Sequence, residues 1–336
     1  MPITIREVAK MAEVSPSTVS RVIADNPKIS DETKKRVHIA MEALNYHPNA
    51  IARSLANKST RTLGLILPNT DEDLFVNPFF IQVMRGISLY AQKKGYYIMY
   101  TYSDKEEEEV NFIKNLMNSK WVDGFILTTA RKDDKCISFL KEADYPFVVI
   151  GRPENGENTL WVDNDNFHAM YTVVNRLIQK GNREIAFIGG PLEMNVTRNR
   201  LEGYKHALEN CGIEADSKLI RETNFSEVSG YEAMKEILKT NKPTAVVTTD
   251  DLIAFGANKA IKEFTDYPVA VVGFNNTPMA AYQTPSLTSV DINAEELGYF
   301  ASKLLINKLV NRKEKIRSYI VETRLVERDS TNFDEL

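Results

Sequence analysis

Beyond Thr62 the chain alternates between short aliphatic runs and longer amphipathic ones, and no other feature restricts its fold so strongly. The runs at 63–67, 97–102, 124–127 and 147–150 are short and apolar enough to be buried strands. The stretches 79–94, 106–119 and 135–142 repeat their apolar residues at helical spacing. A second series follows, with strands at 185–189, 245–248 and 269–274 and helices at 167–180, 198–210, 228–239 and 252–264. Strand–helix alternation of this kind predicts parallel, doubly wound sheets, and two series predict two lobes. A late strand at 288–291 and helix at 295–309 are expected to bring the chain back across a hinge between the lobes. No short solenoid-type repeat is present.

The first 61 residues are different. They hold ten Lys/Arg against six Asp/Glu, a net +4, while the rest carries −8 within a chain total of −4. A basic head on an acidic body is the asymmetry of a small module that meets a polyanion. The whole chain, 43% apolar and 26% charged, has a globular composition. No apolar run approaches the roughly 18 residues of a membrane span, and MPITIREVAK shows no apolar segment after its first charge. Cys136 and Cys211 lie far apart without metal spacing, which fits a reducing compartment. The expectation is a cytoplasmic protein with no membrane contact.

Three helices are legible in the head. Thr4 with Glu7 forms a capping-box pattern. Ser15 followed by Pro16 opens a second helix to about residue 24, and Ser30-Asp31-Glu32 opens a third. Two short helices joined so tightly suggest a helix-turn-helix. On the second helix Val19, Val22 and Ile23 fall on one side, and Ser17, Arg21 and Ala24 on the other. In such a motif the second helix reads base edges in the major groove, with Ser17, Thr18 and Ser20 hydroxyls and the Arg21 guanidinium as donors. A solvated polar face is the plainer alternative for the same pattern.

NYHPNAIARSLANKSTRTLGLILP continues with a run from Asn49 to Ala56 that is helix-capable but too short to persist alone in water. TIREVAKMAEVSPSTVSRVI together with NYHPNAIARSLA resembles the lactose-repressor family of bacterial transcription regulators, and the resemblance extends over nearly the whole chain. It implies a helix-turn-helix domain at 1–46, a hinge helix and linker at 47–60, and a core for effector binding and dimerisation at 61–336. Paired hinge helices of a homodimer would enter the minor groove of double-stranded operator DNA. Leu55 matches the leucine that wedges a central base step, and Ala52 the small residue where hinge helices pack. Ser17, Arg21 and Pro16 match base-reading positions, and Tyr46 and Asn49 match backbone-contacting ones. Pro16 departs from the pattern in having no side-chain donor. With Thr4, Ser15, Thr18 and Ser20 these make up the expected DNA-binding set.

In open α/β sheets, ligands bind beyond the carboxyl ends of strands. Polar and aromatic residues gather there: Asn77, Phe79 and Phe80, Arg152, Trp161 and Asp163, Arg198 and Arg200, Asp250 and Asn275. Carboxylates and amides paired with flat aromatic faces are the materials of a carbohydrate site. Plainer readings exist for several: Phe79 and Phe80 as core, Arg200 paired with Glu202 or with an acid between the lobes, Asp250 as a helix cap, Asn275 as a turn residue. The segments also resemble the periplasmic sugar-binding fold, whose ligand-contacting motifs match NPFF, GR, the TRNR arginine, TDD and GFNN. That resemblance adds Phe225 as an aromatic over the effector, and places Asp250 where an amide is common and Asn275 where aspartate is. VVIGRPENGENTLWVDNDN is most similar to the maltose-operon repressors of the family, which implies Trp161 as a stacking surface for a glucosyl ring.

The sequence lacks GxxxxGKS/T, HExxH and GxSxG motifs and paired metal cysteines, and its four histidines have no nucleophile or ligand cluster nearby. No enzymatic activity and no cofactor are expected. The reading is a homodimeric repressor of a carbohydrate operon, controlled by a small sugar effector such as maltose or a related α-glucoside. The alternative is a global catabolite regulator of the same architecture, controlled by a phosphorylated carrier protein.

Overall fold

The structure is a computed structural model that describes residues 3–24, 26–46, 59–68, 77–103, 105–154, 156–311 and 315–332. The chain divides into two compact units, Met1–Thr60 and Arg61–Leu336. In the first, α1 (Ile5–Met11), α2 (Pro16–Ile23) and α3 (Asp31–Ala43) follow the sequence signals closely. The Glu7 carboxylate accepts from the Thr4 backbone N–H at 2.7 Å and from its hydroxyl at 3.1 Å. Ser15 and Ser30 each accept from the backbone N–H three residues on, satisfying a donor the helix start leaves open. Val8, Ala9, Ala12, Val19, Val22, Val37 and Ala40 fill the small core, with Tyr46 packed against it.

The second unit holds two six-stranded sheets with helices on both faces. The first contains β1 (Thr62–Pro68), β2 (Tyr97–Ser103), β3 (Gly124–Leu127), β4 (Phe147–Ile150), β5 (Leu160–Asn164) and β11 (Ser318–Val321), in the order β11-β5-β4-β3-β1-β2. The second contains β6 (Ile185–Gly189), β7 (Ile220–Glu222), β8 (Ala245–Thr248), β9 (Ala270–Phe274), β10 (Thr288–Asp291) and β12 (Arg324–Val326), in the order β12-β10-β9-β8-β6-β7. Every pairing is parallel except β10 with β12.

Helical cover on both faces explains why the strands read as continuous apolar runs. Alternate residues of one strand go to opposite layers. Leu63, Leu65 and Leu67 of β1 pack with α4 (Pro78–Lys93) and α11 (Ala294–Val310), while Ile66 packs with α5 (Glu106–Asn118) and α6 (Lys135–Glu142). The second lobe repeats this plan. Phe187 and Val247 meet α7 (Asn166–Gln179) and α8 (Asn195–Asn210), while Ile188 and Val246 meet α9 (Glu227–Thr240) and α10 (Asp251–Phe264).

Each helix and strand expected in this unit is present within a few residues of its expected bounds. Four strands escaped the sequence reading: β5, whose LWVDN run ends in polar residues, and the short β7, β11 and β12. The chain crosses between the lobes after β5, after β10 and between β11 and β12. One side chain joins all three crossings: Asn164 Nδ2 donates to the carbonyls of Ile292 at 3.0 Å and Val321 at 2.9 Å. No helix among the described residues is long and apolar enough to cross a membrane.

Candidate effector cleft and DNA-reading helix

Winding reverses between β1 and β3 in one lobe and between β6 and β8 in the other, and the carboxyl ends of β1, β3 and β8 border one cavity. Such reversal points are where open α/β sheets leave a crevice. The cavity measures about 120 Å³, room for roughly ten waters at about 10–15 Å³ each. Eight of the eleven residues expected from the sequence line it: Asn77, Phe79, Phe80, Asp163, Arg200, Phe225, Asp250 and Asn275.

Two polar groups organise the wall. Asp250 sits at the start of α10, where its carboxylate accepts from Leu252 N–H at 2.7 Å, Asn275 Nδ2 at 2.7 Å and Asn77 Nδ2 at 3.2 Å. It is helix cap and cavity wall at once, so the plainer reading and the functional one both hold. Asp163, at the end of β5, accepts from Asn164 N–H at 2.8 Å, Asn166 Nδ2 at 2.9 Å and Arg152 N–H at 3.0 Å. Arg200 is buried and does not pair with Glu202. It donates to Asn166 Oδ1 at 2.9 Å and to the Thr249 carbonyl at 2.6 Å, with its guanidinium 4.1 Å from the centre of the Phe274 ring. Two of its five donors are thereby committed to neutral acceptors.

Burial pushes Asp163 and Asp250 each up to about 6, against the pull of backbone hydrogen bonds and the Arg200 charge. It also brings Arg200 down to about 10, with Asp163, Asp250 and Asp251 opposing the shift. The site therefore keeps its guanidinium charged at neutral pH beside carboxylates that are reluctant to ionise. Phe79 and Phe80 meet edge to face at 5.1 Å, and Phe225 covers Gly190 so closely that a β-carbon there would fall 2.3 Å from its ring. Aromatic faces, two carboxylates, four amides and one guanidinium form a cleft able to bind a hydroxyl-rich ring by its edges and its C–H faces.

Arg152, Trp161 and Arg198 stand outside the cavity wall. Trp161 lies two residues before Asp163 on β5, about 6–7 Å back from the strand end, and the Arg152 guanidinium covers its ring at 4.8 Å. Arg198 is two positions from Arg200 on α8, a spacing that turns side chains to different helix faces. It reaches Glu154, Asn195 Oδ1 and the Leu192 carbonyl. The sequence reading passed over Thr128, Thr129, Asn166, Met194 and Leu297, which also line the cavity. The strand-end rule finds the Thr128-Thr129 pair after β3; Met194 and Leu297 carry no polar signal.

On α2, Pro16, Ser17, Ser20 and Arg21 are exposed, and Arg21 makes no ion pair among the described residues. Ser15 and Thr18 are engaged in the cap, their hydroxyls 2.9 Å apart, and Thr4 is held by Glu7. Tyr46 is half-buried against the three helices. Asn49, Ala52 and Leu55, with the expected hinge helix, lie outside the described residues.

Paired doubly wound lobes around a polar and aromatic cleft define a receptor for a small solute, and the basic three-helix unit adds a DNA-reading element to it. The chain belongs to the LacI family of bacterial regulatory proteins: residues 4–49 match the lacI-family regulatory model, and residues 60–329 match periplasmic binding proteins and the sugar-binding domain of that family. It is a DNA-binding transcription regulator with a sugar-binding core. It is 39% identical to the HTH-type transcriptional regulator MalR of Streptococcus pneumoniae, over 98% of this chain and all of that one. Among solved structures, a transcriptional regulator CelR–cellobiose complex is 30% identical, with TM-score 0.77, over 98% of this chain and 99% of that one. A lac repressor dimer bound to operator and the anti-inducer ONPF is 25% identical, with TM-score 0.84 and the same coverage. These relatives are named as regulators or repressors of transcription and not as enzymes.

Proposed function

We propose that the protein is a cytoplasmic, homodimeric repressor of a carbohydrate-utilisation operon, released from its operator by maltose or a related α-glucoside bound in the cleft. The observation that carries this reading is the cleft itself. Arg200 and Asp163 are joined through Asn166, Asp250 is cradled by Asn77 and Asn275, and Phe79, Phe80 and Phe225 supply flat surfaces around them. The full-length likeness to MalR favours an α-glucoside, and the likeness to a lac repressor dimer on its operator favours a dimer acting on a two-fold DNA site. A sugar that binds the closed cleft better than the open one shifts the balance between them, and so the presentation of the reading units.

The test is calorimetry of the full chain against maltose, maltotriose, trehalose, sucrose, glucose and purine bases, paired with operator gel shifts. One α-glucoside should bind and release the DNA. Arg200→Ala should abolish that response, a loss of at least 100-fold in sugar affinity, while operator binding persists. Binding of a purine alone, or release only by a phosphorylated carrier protein, overturns the sugar assignment.

A further inference from the structure

Besides the triple crossing and the Asn77–Asp250 bond, the two lobes also touch along a short ribbon at the cavity wall. The segment after β3 in the first lobe lies antiparallel to the segment before α8 in the second, with Arg131 facing Met194. Asn195 N–H donates to the Ala130 carbonyl at 3.0 Å, and Lys132 N–H donates to the Glu193 carbonyl at 2.8 Å. Asn195 Nδ2 adds a bond of 2.9 Å to the Arg152 carbonyl, and Arg198 pairs with Glu154. The lobes thus share a short two-strand ribbon, closed at its side by an ion pair.

Both halves of the ribbon are braced from within their own lobe. Arg131 forks onto the buried Glu109 with bonds of 2.7 and 2.9 Å, and its backbone N–H donates to Asp134 at 3.2 Å. Across the gap, Arg198 donates to the Leu192 carbonyl at 3.0 Å and to Asn195 Oδ1 at 2.6 Å, which fixes the 192–195 turn. Ala130 and Met194 also line the cavity, so a ligand cannot be admitted from this side while the ribbon is intact.

We propose that residues 130–132 and 193–195 form a latch that holds the two lobes together beside the cleft, and that Arg198 is its positioning residue. Arg198 orders the turn on its own lobe and holds Glu154 on the other, so removing it loosens the second-lobe strand of the ribbon and one of its ties to the first lobe. Opening then has two stages, release of the latch and bending at the crossings, and the latch sets how often the cleft becomes accessible. Its gating of an effector rests on the reading of the cleft as a sugar site; the latch itself does not.

Amide hydrogen exchange of the ligand-free, full-length protein tests this directly, because Lys132 and Asn195 donate across the gap. In the unaltered protein both amides should be protected, and Arg198→Ala should speed their exchange at least tenfold while amides of β3 and β6 keep their rates. Glu154→Gln, which cuts the same pair from the other lobe, should act alike, and the charge-exchanged double variant Glu154→Arg/Arg198→Glu should recover part of the protection. Unprotected amides in the unaltered protein, or protection that neither single variant changes, overturns the latch. Adding maltose separates the two readings: maltose that leaves the exchange unaltered counts against the sugar assignment and not against the latch.

Discussion

Three buried aspartates give the cleft its pH behaviour. Asp163 and Asp250 line it. Asp251 stands behind it, accepting from Ser289 Oγ at 2.6 Å and Thr277 N–H at 2.7 Å, and burial pushes it up to about 7 against those bonds. In each the folded value exceeds the usual carboxylate value of about 3.9. The folded chain therefore holds these protons more tightly, and their contribution to stability is present at low pH and lost as the pH rises from about 4 to about 7. Ligand binding runs the other way, since only an ionised carboxylate accepts at both oxygens from hydroxyl donors. Sugar affinity should be steady above pH 7 and should fall about tenfold by pH 5 for each carboxylate with a value near 6. Calorimetry at pH 7.5 and 5.0 measures this, and a flat profile would remove both aspartates from contact with the ligand. Most of these residues were visible in the sequence because the strand-end rule points at them. What the sequence did not reveal was direction. Arg198 and Arg200 look equivalent in TRNR, and only the turn of α8 assigns one to the rim and one to the interior.

At the level of elements, α4 and α11 meet backbone to backbone. A β-carbon on Gly86 would lie 1.9 Å from the Glu295 carbonyl oxygen, and one on Gly298 would lie 2.1 Å from that of Val83. These glycines are required by the close approach of the two helices, and neither has a left-handed backbone. Gly298→Ala should force the helices apart at a cost of about 1–3 kcal/mol, read as a lower denaturation midpoint. An unchanged midpoint would mean that the pair slides without strain. Helices and central strands were legible because burial on one or two faces stamps a period on them. The edge strands β7, β11 and β12 were not, because three or four residues at a sheet margin, partly exposed, carry too little pattern.

Considered whole, the core is two similar lobes whose three crossings are tied together by the Asn164 amide. Asn164 also lines the cavity, so a ligand there sits against the group that ties the hinge together. Asn164→Ala should leave the Ile292 and Val321 carbonyls without that donor, at a cost of about 1–3 kcal/mol where they stay buried. It should also broaden the range of lobe angles seen by solution X-ray scattering. A variant with unaltered stability and scattering would show that the crossings hold the joint without it. That two lobes exist could be read from the repeated strand–helix series, and the return of 288–309 was expected. The third crossing was not, because it depends on β11 and β12 joining different sheets.

That third crossing has a consequence for how the protein is made. The first lobe draws its α11 and β11 from beyond residue 293, and the second takes its β12 from 324–326. Neither can be finished while its closing pieces are still inside the ribosome, although the N-terminal three-helix unit is already complete. During synthesis the three-helix unit emerges long before the lobes are complete, and both lobes acquire their final strands nearly together.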